Sequence, residues 1–480
     1  MSLPDSYPDF VYETGTALAS PPPAAPPPAA PPPKRRGWIL PVAVAGVVAL
    51  AVVVAIVVAL VISRSASPST PTATMPSAPV STQPSPEPTP VAYTGGITPT
   101  ILWAKVYGGE AYDMFNAVTV TADGSIIAAG YTRSMTGDFG STYGTDTAVV
   151  AMFDGQGNIE WATTFADEQA DEFKGVAIGQ DGSIYAVGSS VASDKGSVVV
   201  KLTPAGDIVW VRAFGGSGID IFWGVVADGD GIIVAGYTDS TDGDIPATHG
   251  ELDALLASIT QDGDIAWAKT FGGSKDDVFY SVTIGLDGAI VAAGFSKSHN
   301  GDFADPRGDS NALIASFSAA GELTRSKVFG GGDTDLFNAI STAPDGSYFI
   351  GGGTWSMDGD LPHVGPKFSI TSVYGMCSND LATCRWEAGS GGDLYGATVT
   401  DGGVGVSVGG ENWLMGVQNL NTTETVSGQA IPVKYQYGTY QGVAALPNNQ
   451  VVAVGVAQTA RVTDVLMGQY DAVIVVIGFQ

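Results

Sequence analysis

Two hydrophobic patterns divide the chain. Gly37 to Ile62 reads GWILPVAVAGVVALAVVVAIVVALVI, without a charge, whereas beyond about Ile97 apolar and polar residues alternate in short runs. At a rise of about 1.5 Å per residue the first run would span roughly 39 Å, more than the ~30 Å hydrocarbon core of a bilayer. It also exceeds the apolar region of about 7–15 residues in a secretory signal. The run predicts an uncleaved transmembrane helix over residues 37–63, with Pro41 tolerated in the first turn, where no internal N–H bond is lost. The period-two alternation beyond it predicts strands.

The alternating region repeats. FNAVTVTADGSIIAAGYT from Phe115 returns in recognisable form from Phe173, Phe222, Phe279 and Phe337, and more loosely from Tyr395 and Tyr440, making seven copies. Each holds two strands about a tight turn, often Asp-Gly as at Asp123-Gly124, where glycine accepts positive φ. A second hairpin follows, as in TAVVAMFDGQGNIEWATTF from Thr147 and DALLASITQDGDIAWAKTF from Asp253. Four-stranded antiparallel units at roughly 50-residue spacing predict an all-β fold, a seven-bladed β-propeller. The last copy stops at DAVIVVIGF (Asp471 to Phe479), a third strand without a fourth, while ILWAKVYGG (Ile101 to Gly109) is a fourth strand without an owner. Pairing Ile101–Tyr107 with Ala472–Ile477 would complete blade seven and remove the exposed edges of an open array.

The flanks of the apolar run set an orientation. Lys34, Arg35 and Arg36 precede it and Arg64 alone follows, so the positive-inside rule places residues 1–36 in the cytoplasm and the rest outside. Pro21 to Pro33 reads as an extended polyproline rod within a disordered cytoplasmic tail. Residues 64–96, rich in Ser, Thr and Pro, hold too few large apolar residues to fold and read as a stalk beneath a propeller over 97–480. GYTDSTDGDIPATHGELDALLASITQDGDIAWAKTFGG, from Gly236 to Gly273, resembles the secreted bacterial β-propeller repeats with the cadence GYTxSxDGD…HG…DA…GxIxWxKxFGG. That resemblance implies a propeller and export, and no particular reaction. The chain departs from WD40 repeats in lacking a closing Trp-Asp.

Composition narrows the function classes. A formal charge of −28 repels phosphate backbones, so nucleic acid is an unsuitable partner. Candidate chemistry lies in recurring acids. Asp113, Asp171, Asp220, Asp277, Asp335 and Asp393 each stand two residues before the first aromatic of a repeat, where an Asp can cap turn amides. The functional alternative is a carboxylate ring at the channel mouth, holding Ca²⁺ or a cationic ligand. The loops STDGDI and SMDGDL place Asp242, Asp244, Asp358 and Asp360 at spacings that suit either a satisfied turn or a calcium loop, without the full EF-hand pattern. His249, His299 and His363 fall on separate blades, which disfavours one shared metal, and no cofactor motif occurs.

Trp103, Trp161, Trp210, Trp267 and Trp386 recur at one fourth-strand position, with Arg325 there in what the count makes blade five, and read as interblade packing. Cys377 and Cys384 flank a turn, placed in blade six at positions matching Met152 and Ile159, and are expected to form a disulfide. The expectation is a membrane-anchored module outside the cell that binds or scaffolds a glycan, peptide or protein, its lipid contact confined to the span. An extracellular hydrolase or lyase acting at the channel mouth ranks second, and a sensor signalling to the cytoplasmic tail third.

Overall fold

The computed structural model describes residues 98–140, 146–165, 171–190, 196–229, 231–304, 307–367, 369–390, 392–409, 414–420, 425–430, 438–459 and 469–479. The predicted tail, span and stalk lie outside these residues. Among the described residues no helix is long and apolar enough to cross a membrane.

Seven four-stranded antiparallel sheets form the blades of a propeller. Blade one comprises Asp113–Val120, Ile126–Thr132, Thr147–Phe153 and Ile159–Thr164, counted outward from the axis. The first strands of blades two to seven are Glu172–Ile178, Asp220–Asp228, Asp277–Ile284, Asp335–Thr342, Leu394–Val399 and Gly438–Leu446. Each first strand touches those of both neighbouring blades, and the circuit closes from blade seven to blade one. Blade seven takes its outer strand from Pro99–Tyr107, which pairs with Gln469–Phe479 in the expected register, Ile101 facing Ile477 and Tyr107 facing Ala472. The ring is thus sealed by hydrogen bonds, and that sheet has no open inner or outer gap at the junction.

The core lies between blades. Phe115, Ile126, Ala128 and Val149 of blade one pack on Val452, Val454, Ala472 and Ile474 of blade seven, and like clusters fill the other interfaces. The repeat aromatics Phe115, Phe173, Phe222, Phe279 and Phe337 are fully buried there. Each contributes roughly 2–3 kcal/mol of apolar burial.

On the outer rim, Trp103, Trp161, Trp210 and Trp267 each lie over a left-handed glycine in the next blade's turn: Gly157, Gly206, Gly263 and Gly321. A Cβ on Gly206 would fall 2.6 Å from the Trp161 ring, which explains the Gly-x-Ile-x-Trp cadence. Arg325 occupies the matching place in blade four, opposite Ser316, rather than in blade five. Trp386 leaves the series. The third and outer strands of blade five pair without the bulge found in blades one to four. Trp386 thereby moves inward to stack 4.8 Å from Phe337. The cysteines also belong to blade five. Cys377 sits in Phe153's place, one beyond Met152, and bonds Cys384 directly across the pair with a Cα separation of 4.1 Å.

Candidate functional site

Where one blade hands over to the next, the chain turns through two glycines whose amides need partners. At Gly215-Gly216 the first N–H donates to Asp244 at 2.7 Å and the second to Asp220 at 2.9 Å. The next two amides, of Ser217 and Gly218, donate to Asp242 and to the Ser240 hydroxyl. Gly330-Gly331 repeats the scheme with Asp360 at 2.7 Å and Asp335 at 2.9 Å, followed by Gly332 to Asp358 and Asp333 to Ser356. Asp138 with Asp113, and Asp302 with Asp277, hold the corresponding glycines in blades one and four.

The aspartate at the head of each strand is caged further. Asp113, Asp220, Asp277 and Asp335 are 0–1 % exposed, and each accepts two hydroxyls in addition to the glycine amide. Burial pushes the carboxyls of Asp113, Asp277 and Asp335 above their usual range, while those hydrogen bonds pull the other way. Four of the proposed channel-mouth carboxylates therefore sit inside closed cages as crossover anchors. Asp171, half-buried, heads blade two with its own amide bonded to the Ser189 carbonyl. In the same way Asp242, Asp244, Asp358 and Asp360 aim oxygens at backbone amides. Among the described residues no group of three or more His, Cys, Asp or Glu is placed to hold a metal ion.

Asp393 is different, and strand pairing corrects its assignment. Leu394 pairs with Gly409 as Phe115 pairs with Gly130, so Leu394, not Tyr395, fills the buried aromatic's place. Gly392 then takes the cage position and Asp393 stands one residue past it. The reason is packing: that place demands a buried apolar side chain, and Leu394 is 1 % exposed. Asp393 lies instead against Gly353 of blade five, where a Cβ would fall 1.9 Å from its Oδ1. Blades one, three and four carry Tyr131, Tyr237 and Phe295 at Gly353's place, so the missing ring makes the room. The Oδ1 is buried and has no hydrogen-bond partner among the described residues. Burial alone pushes this carboxyl up to about 7.

A second set of polar and aromatic residues, not singled out in the sequence, lies on the innermost strands. Every first strand bulges directly after its buried apolar residue. The bulge sets Asn116, Lys174, Trp223, Tyr280, Asn338, Tyr395 and Gln441, one per blade, at one level on the innermost strands. The residue that follows is small because the strands approach closely: a Cβ on Gly224 would lie 3.1 Å from the Ser281 backbone. Asn116 donates to Glu172 and to the Phe173 carbonyl, both at 2.8 Å, and Glu172 pairs with Lys174 at 2.7 Å. Lys174 lies 4.6 Å from the Trp223 ring, whose centroid is 5.2 Å from that of Tyr280. These members join hand to hand around the axis. Among the described residues the buried Nε1 of Trp223 and Nδ2 of Asn338 have no hydrogen-bond partner, like Oδ1 of Asp393. The signal in the sequence was a variable residue between a large apolar residue, aromatic in six blades, and a small one.

No family model matches the sequence, and no curated protein is similar to it in sequence. Among solved structures, the Pan2 WD40 domain of Neurospora crassa is 11% identical, with 81% of this chain and 98% of that one covered and a TM-score of 0.47. The Cps50 (Swd1) β-propeller domain of Myceliophteria thermophila is 9% identical, with 72% and 95% covered and a TM-score of 0.44. A protein of unknown function from Dyadobacter fermentans is 12% identical, with 80% and 99% covered and a TM-score of 0.44. These are likenesses of architecture alone.

Proposed function

We propose that this protein is a binding or scaffold module, anchored by residues 37–63 and holding its propeller outside the membrane to engage a glycan, peptide or protein. One observation carries the preference for binding over catalysis: the raised carboxyl of Asp393 owes its shift to burial, and among the described residues no charged group contributes to it. Hydrolysis of a polymer by paired carboxylates needs a second acid across the scissile bond. Asp113, Asp220, Asp277 and Asp335 are engaged in crossover turns. An aromatic group at the junction of blades seven and one adds surface for contact: Tyr112 stacks on Tyr131 at 5.8 Å, meets Tyr470 at 5.3 Å, and is overlaid by Arg133.

Two measurements test the reading. On a glycan and peptide array the full chain is expected to retain a defined ligand, and soluble polymer incubated with it should show no new chain ends. Appearance of such ends, abolished in Asp393→Asn, would make the protein an enzyme and overturn the proposal. Protease applied to intact cells should release the propeller; full protection would overturn the placement outside.

A further inference from the structure

We infer that Trp223 and Asn338 of the innermost ring, together with Asp393 two residues before the ring position of blade six, form a binding site for a neutral hydroxyl-rich ligand, one or two sugar residues in size. This rests on reading the propeller as a binding module and names the ligand class of one site within it.

Three buried polar atoms near the axis lack partners among the described residues: the Nε1 of Trp223, the Nδ2 of Asn338 and the Oδ1 of Asp393. They belong to blades three, five and six, and Tyr280 of blade four bridges the gap, 5.2 Å from Trp223 and within the electrostatic reach of Asp393. Across the ring the equivalent residues are paired: Asn116 with Glu172, Glu172 with Lys174, and Gln441 with Thr439 at 3.2 Å. The open valences are therefore confined to one arc. Buried polar atoms without partners are uncommon, and a concentration of them beside aromatic rings marks a place for a ligand's own polar groups.

Their chemistry selects the class. The indole N–H only donates, the amide of Asn338 donates or accepts according to how it is turned, and the carboxyl of Asp393 accepts when ionised and donates when protonated. An ammonium group can only donate, so it would leave the indole N–H facing another donor. A phosphate or carboxylate would set its charge against Asp393 within a protein of net charge −28. A hydroxyl both donates and accepts, and a sugar carries several at the spacing of its ring.

The test uses the full chain in detergent, labelled with ¹⁵N on tryptophan, and a panel of free mono- and disaccharides. Trp223 is identified among the nine tryptophans by the indole resonance lost in Trp223→Phe. At least one sugar is expected to shift that resonance, with a roughly millimolar Kd for so small a ligand. Asn338→Leu, checked for an unchanged unfolding midpoint, should weaken it about tenfold. Should Asn338→Leu fail to fold, Asn338→Asp takes its place with the same expectation. The inference is overturned if no sugar moves the resonance, if the Asn338 variant binds equally well, or if tetramethylammonium or sulfate binds there and sugars do not. Array binding that persists while the Trp223 signal stays silent would remove this site and leave the binding module standing. Silence in both would remove both.

Discussion

Asp277 receives the amide of Gly273 and the hydroxyls of Ser296 and Ser298, whereas the Oδ1 of Asp393 receives nothing. Replacing each with the isosteric Asn should act in opposite directions. In Asp277→Asn the new amide N–H faces a donor, and a loss of roughly 2–3 kcal/mol is expected in urea unfolding. Asp393 has a folded value of about 7 against an ordinary 3.8, so the native state holds its proton more tightly than the unfolded chain does. The stability it contributes is full below about pH 4 and is lost as pH rises through 7. Asp393→Asn should therefore leave stability unchanged near pH 4 and raise it by roughly 4 kcal/mol at pH 8. A pH-independent difference between variant and native protein would refute this account. The sequence did not separate the two residues, because Asp393 stands two before Tyr395 as Asp277 stands two before Phe279. A one-residue slip reverses which side chain enters the core, and only the pairing of Leu394 with Gly409 exposes it.

At the scale of hairpins, the outer rim repeats a lid of tryptophan on glycine until blade five breaks it. There Leu381 takes the glycine's place in the turn, adopts φ 58° and is buried, while Arg325 stands where the lid would come from. The Cys377–Cys384 bond pins the same turn, and Lys327 from blade four reaches the Leu381 carbonyl at 3.2 Å. The disulfide thus braces, within blade five, the turn that no tryptophan of blade four covers. Converting both cysteines to serine should cost about 2 kcal/mol, the low end for so short a loop. Reductant should lower the unfolding midpoint of the native protein and leave the serine variant unmoved; equal midpoints throughout would show the bond to be dispensable. Hairpins were legible from alternation and Asp-Gly turns, but the SxDGD loops were not. Asp and Gly serve calcium loops and turn clamps alike, and which one forms depends on whether Gly215-Gly216 or a cation lies opposite. The channel ring was hidden for another reason, since a bulge is a backbone irregularity with no fixed residue type.

Closure of the whole ring was legible because an unowned strand at one end matched a missing strand at the other. Its consequence can be measured. Pro99–Tyr107 pairs along its length with Gln469–Phe479 and also grips blade one, where the Tyr107 hydroxyl donates to Gly157 at 2.7 Å and Lys105 donates to the same carbonyl at 3.1 Å. One strand therefore joins two blades. Without it, the strand holding Val473, Ile474, Val475 and Ile477, all fully buried, would become an apolar edge with unpaired amides. Deletion of residues 99–107 from the full chain should produce dimers and larger species by edge pairing. A milder change, Val106→Asp opposite Val473, should lower the unfolding midpoint without changing the fold. A synthetic peptide of residues 98–108 added in trans should return the deletion variant towards a monomer, because it restores the same ladder. If that variant instead runs as a monomer with an unaltered midpoint, the seven sheets do not depend on this seam. Trp223, Asn338 and Asp393 would then be held by interblade packing alone.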